Sequence, residues 1–380
     1  LERDDVDPDS PANNGQTPLR SAAFNGHEGV VKTLLEQGQI DPDKPDNQGQ
    51  TPLSGAAYNG HGGVVKILLE RDEVSPGKPD NGGQTPLLWA ALNGHEGVAK
   101  ILLERDEVNP DNSANDGRTP LHAAAWNGHG GVAKMLLERD EVDPDSPDNS
   151  GRTPLHAAAY NGYMAVVKML LERGEVTPDS PDNETRTPLH AAAYKGYEGV
   201  VKILLGLSEV NPDRPDSHGQ TPLMYAASNG HVEVVEALLQ RGEVNPDRPD
   251  NEGRTPLQFA SLYGRQGVVK VLLERHDVNP DKPDLDGRTP LLCAAWNGHE
   301  GVVKILLARD GVSPDMPDND GRTPLSYAAG NGYAGVVEIL LARGVDSDQP
   351  DAFGQTPLRL ATRHGHVAVV ALLRPEGPSQ

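Results

Sequence analysis

Thirteen histidines, one cysteine and a recurrent set of aspartates are the residues whose chemistry could be put to work. Histidines in such number suggest metal ligation or general acid–base catalysis. Aspartate-rich loops suggest a hard cation such as Ca²⁺, which wants about six to eight oxygen ligands. Spacing decides against both readings of the histidines. His27, His61, His95, His129, His231, His299 and His366 each follow a glycine, and His122, His156 and His190 each follow Thr-Pro-Leu. A residue recurring at one fixed place has the same local task each time, expected here to be hydrogen bonding to turn backbone. Tyr163, Tyr197, Tyr333 and Arg265 replace the glycine-following histidine, which a metal site would not tolerate. Cys293 occupies a helix position otherwise filled by Ala, Ser, Gly, Leu or aromatics, so a small packed residue is expected rather than a nucleophile. The sequence contains no phosphate-cradling glycine loop, no Cys-x-x-Cys and no His-Glu-x-x-His. No catalytic residues, no metal ligands and no cofactor are therefore expected, and the chain is not expected to be an enzyme.

The aspartates form columns, such as Asp145, Asp179, Asp213, Asp247 and Asp281, and again Asp148, Asp182, Asp216, Asp250 and Asp284. Short carboxylates beside prolines close turns by bonding their own backbone, and the alternating oxygens and terminal Glu of an EF-hand loop are missing. An acidic, solvated edge is the favoured reading, with a Ca²⁺-binding structural array as the lesser alternative. With 34 Lys and Arg against 56 Asp and Glu, the net charge of −22 repels phosphate backbones and anionic lipid. Neither nucleic acid nor a membrane is expected as a partner. The longest apolar run, Val367 to Leu373, falls far short of the roughly 20 residues of a spanning helix. No signal-peptide pattern opens the chain, and a lone cysteine fits a reducing, cytoplasmic compartment.

The elements that hold these columns follow from one period. Thr-Pro-Leu begins at Thr17, Thr51, Thr85, Thr119, Thr153, Thr187, Thr221, Thr255, Thr289, Thr323 and Thr356, in steps of 34 with a final step of 33. Such a period marks a solenoid whose modules cannot bury their apolar faces alone. Its core is a thin seam of Leu, Val and Ala, which accounts for an aromatic content of 4%. In the fifth repeat, Thr153 suits an N-cap and Pro154 the first helical position. Leu155 to Tyr160 favours helix, and Asn161-Gly162 stops it. Val166, Val167, Leu170 and Leu171 then form one apolar stripe on a second helix from about Tyr163 to Glu172. The prolines in Val-Thr-Pro-Asp-Ser-Pro-Asp-Asn end it, giving an extended turn or hairpin that crosses to the next repeat.

The strings Gly151-Arg-Thr-Pro-Leu-His-Ala-Ala-Ala and Gly128-His129…Val132…Leu136-Leu137 resemble the ankyrin repeat, in phase across all eleven repeats. The resemblance implies an all-α helix-turn-helix solenoid with projecting hairpin loops, and neighbouring helices about 8–10 Å apart would make a curved rod on the order of 100 Å long. Ankyrin units are usually about 33 residues, and the extra residue here falls in the hairpin. Residues 1–11 are expected to be the tail of a truncated preceding repeat, because Leu1-Glu-Arg-Asp-Asp-Val6 matches Leu103-Glu-Arg-Asp-Glu-Val108. Residues 12–350 would be ten repeats, and 351–380 a C-terminal cap and tail carrying Arg359, Thr362, Arg363, His364 and Pro375. A C-terminal piece of a longer protein is expected, although near-identity of the repeats also admits a consensus design.

Ankyrin-like stacks usually meet partners at the hairpin tips and the end of the first helix. The thirteenth residue of each repeat carries Phe24, Tyr58, Trp126, Tyr160, Tyr194 and Trp296, six of the chain's fifteen aromatics. Arg118, Arg152 and Arg186 at the fifth position, and Lys195 beside Tyr194, line the same region. These ten residues are the candidate partner-binding set. Two readings stay open for the rings: a recognition stripe, or simple space filling. Trp89, Tyr225, Phe259 and Tyr327 stand three positions earlier and trade volume with small residues at the thirteenth. The expected function is a non-catalytic protein-interaction scaffold, a monomer that binds a basic protein or peptide along a concave groove. The alternative is the regulatory sensor region of a larger signalling receptor, since such arrays also resemble the C-terminal regions of fungal signalling receptors. Thr185 replaces the hairpin glycine of the sixth repeat, and a distorted or more mobile hairpin at 182–187 is expected there.

Overall fold

The computed structural model describes residues 7–37 and 40–374. The expectations for Leu1–Val6 and for the tail from Pro375 lie outside the described residues. Among those described there are 22 α-helices and no strand. They fall into two compact units, Leu1–Asn183 and Glu184–Gln380. The first holds ten helices, from α1 (Pro18–Phe24) and α2 (Glu28–Glu36) to α9 (Pro154–Asn161) and α10 (Met164–Glu172). The second holds twelve, from α11 (Pro188–Lys195) and α12 (Glu198–Leu205) to α21 (Pro357–Arg363) and α22 (Val367–Leu373).

Local chemistry sets each pair. The Thr153 hydroxyl accepts from the His156 amide, Pro154 takes the first turn, and Gly162 at φ 79° ends α9 in the left-handed region. The second helices have no side-chain N-cap, so packing rather than capping must hold them: Val166, Val167 and Leu170 of α10 are all fully buried. Within each unit the first helix of one repeat packs on the first helix of the next, and the second helices do the same. The leucine of Thr-Pro-Leu lies in the middle of this seam, with no exposure at Leu53, Leu87, Leu121 and Leu155. Fully burying each contributes about 2 kcal/mol. Leu358 is only half-buried, because no described repeat lies beyond it.

The hairpins are turns that bond their neighbours one residue at a time. In the first unit the Asn81 amide donates to Gln48 O at 2.9 Å and its Nδ2 to Asn47 O at 3.1 Å; Asn115 repeats the pattern on Gly82 O and Asn81 O. In the second unit Asn251 bonds His218 O and Ser217 O in the same way. A residue with positive φ, glycine in every described repeat but the sixth, stands beside the crossing: at Gly151, φ 78°, an added Cβ would fall 2.5 Å from Asn183 Oδ1.

The sixth repeat corrects an expectation. Its hairpin keeps the common turn instead of distorting, and Thr185 takes the glycine conformation at φ 60°, the one non-glycine with positive φ among the described residues. The surrounding ladder therefore outweighs the steric cost of a β-branched residue there. Thr185→Gly should stabilise the protein by about 1 kcal/mol, the relieved strain being partly offset by glycine's larger unfolded entropy. A urea midpoint unchanged from that of the parent would contradict this.

Candidate interaction surface

The glycine-following histidines are inter-repeat ties. His95 Nε2 lies 2.9 Å from Tyr58 O, His129 Nε2 3.1 Å from Leu92 O, and His299 Nε2 3.0 Å from Leu262 O. Each meets a carbonyl in the last turn of the preceding repeat's first helix, a group without an intrahelical donor. Arg265 does the same work with Nε, 2.8 Å from Ser228 O, which explains the exchange of residue type. In the other set, His156 and His190 serve the N-terminus of their own helices, whereas the buried His122 Nδ1 has no hydrogen-bond partner among the described residues. His156 Nδ1 accepts from the Thr153 amide at 3.1 Å, and His190 Nδ1 from the Thr187 amide at 3.1 Å.

Both aspartate columns are engaged in structure. In the Asp148 column, Oδ1 accepts two amides of its own turn, from Ser150 at 2.8 Å and Arg152 at 3.0 Å. In the other column the next repeat reaches back: Lys78 Nζ donates to Asp43 Oδ2 and O, and Arg248 to Asp213 Oδ2 and O. At Asp111 and Asp145 the corresponding residues are Ser146 and Ser180 instead of a cation. Burial pushes the Asp111 carboxyl up to about 6, with Asp143 adding repulsion. Among the described residues, no three His, Cys, Asp or Glu side chains gather as a metal site would require.

Within each unit the first-helix face brings the candidate residues together. Phe24 stacks on Tyr58 with centroids 6.0 Å apart, and Tyr58 meets Trp89 edge-on at 5.1 Å. Trp126 stacks on Tyr160 at 5.6 Å. In the second unit Tyr194 meets Tyr225 at 6.0 Å, and Trp296 stacks on Tyr327 at 4.9 Å. Phe24, Tyr58, Tyr194 and Trp296 are 37–42% exposed, so the rings pack along their flanks and keep an edge in solvent. The candidate arginines pair with hairpin carboxylates: Arg118 with Asp116, Arg152 with Asp148 at 2.9 Å, and Arg186 with Glu184 at 2.9 Å. Lys195 Nζ lies 5.6 Å from the Tyr194 ring centroid.

The face also includes residues that the candidate set left out. Trp89, Tyr225 and Tyr327 each donate to the hairpin aspartate of their own repeat, Trp89 Nε1 to Asp80 at 3.2 Å, Tyr225 to Asp216 at 2.8 Å and Tyr327 to Asp318 at 2.8 Å. Arg254 and Arg322 lie over Phe259 and Tyr327, at 4.9 and 5.8 Å from the centroids. Volume trading between the tenth-residue and thirteenth-residue positions was the signal for the rings Trp89, Tyr225, Phe259 and Tyr327. A thirteenth-position ring touches the tenth-position ring of the next repeat, as in Tyr58–Trp89, Tyr194–Tyr225 and Trp296–Tyr327, and that next repeat then carries a smaller residue at its own thirteenth position.

This geometry defines a helix-turn-helix repeat solenoid with a mixed aromatic, arginine and carboxylate face. A family model described as ankyrin repeats, three copies, matches it in overlapping segments, 2–80, 73–148, 140–216, 207–284, 249–318, 275–351 and 310–379, and the chain belongs to that family. Its structure is similar to the ankyrin repeat domain of Bcl-3, described as a unique member of the IkappaB protein family, at 29% identity and a TM-score of 0.50, over 60% of this chain and 100% of that one. It is also similar to the human ASB11 ankyrin repeat domain, at 28% identity and a TM-score of 0.51, over 59% of this chain and 97% of that one. No curated protein resembles the chain closely enough to count as a match. Ankyrin repeats generally mediate protein–protein interaction. Among the described residues, no helix is long and apolar enough to cross a membrane.

Two titrations follow from burial. His122 is 1% exposed, and burial pulls its imidazole down to about 4. The unfolded state, near 6.5, then binds the proton first, so stability present at neutral pH is lost as pH falls from about 6.5 to about 4. Relative to His122→Leu, which copies Leu88 and Leu292, the parent should lose roughly 3 kcal/mol across that window in urea titrations. Parallel pH profiles would refute it. Cys293 is buried, with its thiol pushed up to about 12. A maleimide at pH 7.5 should label it only after denaturant is added, and fast labelling of the folded protein would show the burial to be wrong.

Proposed function

We propose that the chain is a non-catalytic scaffold that binds a basic protein or peptide along its first-helix face. The observation that carries this reading is the set of rings that, within each unit, pack from one repeat to the next with edges left in solvent. Aromatic and arginine anchors supply most of the energy at interfaces, and flat, well-supported rings lose little side-chain entropy on binding. The thirteenth-position rings, with Arg118, Arg152, Arg186 and Lys195, would provide the anchors, and several adjacent repeats would share the partner. The charge of −22 selects basic partners and speeds their encounter.

The test combines crosslinking capture with quantitative binding of the captured partner. Trp126→Ala and Trp296→Ala, one in each compact unit, should each weaken binding by about 2 kcal/mol, roughly thirtyfold. Glu104→Ala, at the end of a second helix, should change it little. Affinity should also fall as salt rises from about 50 mM to about 500 mM. If both tryptophan variants bind as the parent does, the face is not the binding surface.

A further inference from the structure

The second unit shows what the space between a hairpin aspartate and a tenth-position ring accepts. In the eighth repeat Arg254 pairs with Asp250, Nε at 2.9 Å and a terminal nitrogen at 2.8 Å, while its guanidinium covers Phe259 at 4.9 Å. In the tenth repeat Arg322 lies 5.8 Å from both the Tyr327 and the Phe353 ring centroids, and donates to the Tyr327 hydroxyl at 3.2 Å. The arginine stands four residues after the aspartate and five before the ring. The third repeat has the same aspartate and ring, Asp80 and Trp89, but Gln84 stands where the arginine would be. Asp80 therefore bonds only neutral donors: the Gly82 and Gln84 amides, each at 2.9 Å, and Trp89 Nε1.

Beside Trp89 the surface opens into a cleft of about 260 Å³ lined by Phe24, Gln50, Ser54, Gly55, Tyr58 and Trp89. The second repeat contributes neither a fifth-position arginine nor a tenth-position ring, having Gln50 and Gly55 there, and this absence makes the room. A Cβ on Gly55 would meet Phe24 at an ordinary 3.6 Å, so the opening follows from residue type rather than from backbone need. Arg20 borders the cleft over Phe24 at 5.7 Å, but its charge is taken by Asp46 at 2.9 Å. Asp80 has no such cation. The opening thus presents three rings, with the Gln50 amide oxygen already accepting from Arg20 and the Ser54 hydroxyl already donating to Thr51 O, and Trp89 Nε1 links it to the Asp80 carboxylate.

We propose that this cleft binds an arginine side chain of the partner, whose guanidinium takes over Trp89 and Asp80 the place that Arg254 takes over Phe259 and Asp250. The inference rests on the scaffold reading and makes it specific: the partner is an arginine-bearing peptide segment, and the third repeat is where it anchors. Aromatic faces attract a guanidinium through their quadrupole, and the planar cation can stack while it bonds a carboxylate. A corresponding cleft in the second unit, beside Tyr194, Gln220 and Tyr225, includes Arg265 in its lining, so its own cation disfavours the same occupant.

The experiment uses the full chain with Trp126→Phe and Trp296→Phe, so that Trp89 alone reports by fluorescence. The probe is N-acetyl-arginine methylamide, compared with its citrulline counterpart, which has the same shape without the charge. The arginine probe should give a saturable change and bind at least about tenfold more tightly than citrulline. Gln84→Arg, which supplies the guanidinium internally, should abolish the response. So should Gly55→Leu, which fills the cleft at a position where other repeats accept Trp89 or Phe259. Thermal melts check that both variants fold. Equal responses to arginine and citrulline, no response to either, or an unchanged response in either variant would overturn the proposal. The captured partner separates this from the broader reading. Loss of binding with Trp126→Ala but not with Gln84→Arg leaves the scaffold standing and removes the arginine site; binding unaffected by either removes both.

Discussion

Each repeat is completed by the next one. A first helix leaves carbonyls in its last turn, such as those of Tyr58 and Leu92, with no donor of their own, and the ring of His95 or His129, one repeat later, supplies one. The same dependence governs the apolar side, where a leucine such as Leu121 is sealed only between neighbouring helices. Unpaired buried polar groups cost about 1–3 kcal/mol each, so an isolated repeat would carry several such penalties with no core to offset them. Stability is therefore a property of junctions, as expected for quasi-one-dimensional arrays.

The binding face follows from that constraint. With the second helices and the seam committed to packing, the first-helix face varies at the fifth, ninth, tenth and thirteenth positions. Substitution there changes the surface while leaving the histidine and asparagine ties to neighbouring backbone in place. Arg254 over Phe259, Trp89 on Asp80 and Arg20 on Asp46 are three solutions to one local problem, a hairpin carboxylate that needs a donor. Each solution leaves a different exterior, and a sequence of such choices gives an otherwise uniform array its local identity.

Much of this was legible in the sequence, because the determinants are local and repeated eleven times. Thr-Pro at helix starts and glycine at first-helix ends state the backbone directly, and the Val-Val-x-x-Leu-Leu spacing states the buried face. Two things were not legible. The partner of each glycine-following histidine lies about a repeat away, so the residue type suggested a backbone bond but not whose. The pairing of tenth-position with thirteenth-position rings across a junction appeared in the sequence only as traded volume within one helix. Thr185 misled for a physical reason: propensity describes a residue's preference in isolation, whereas here the flanking ladder dictates φ 60° regardless of it.

The arginines that close the second helices form a further series. Arg105 reaches Leu69 O at 3.1 Å, Arg139 reaches Leu103 O at 2.5 Å, and Arg71 reaches Leu35 O at 3.4 Å. Like the histidine and asparagine ties, each spans a single period and no more. Excising one whole period would rejoin donors to acceptors of the same kind, and duplicating one would create no orphan. Recombination between misaligned copies in the coding sequence would therefore yield foldable products of altered length, so the number of modules can drift far more freely than the residues within any one of them.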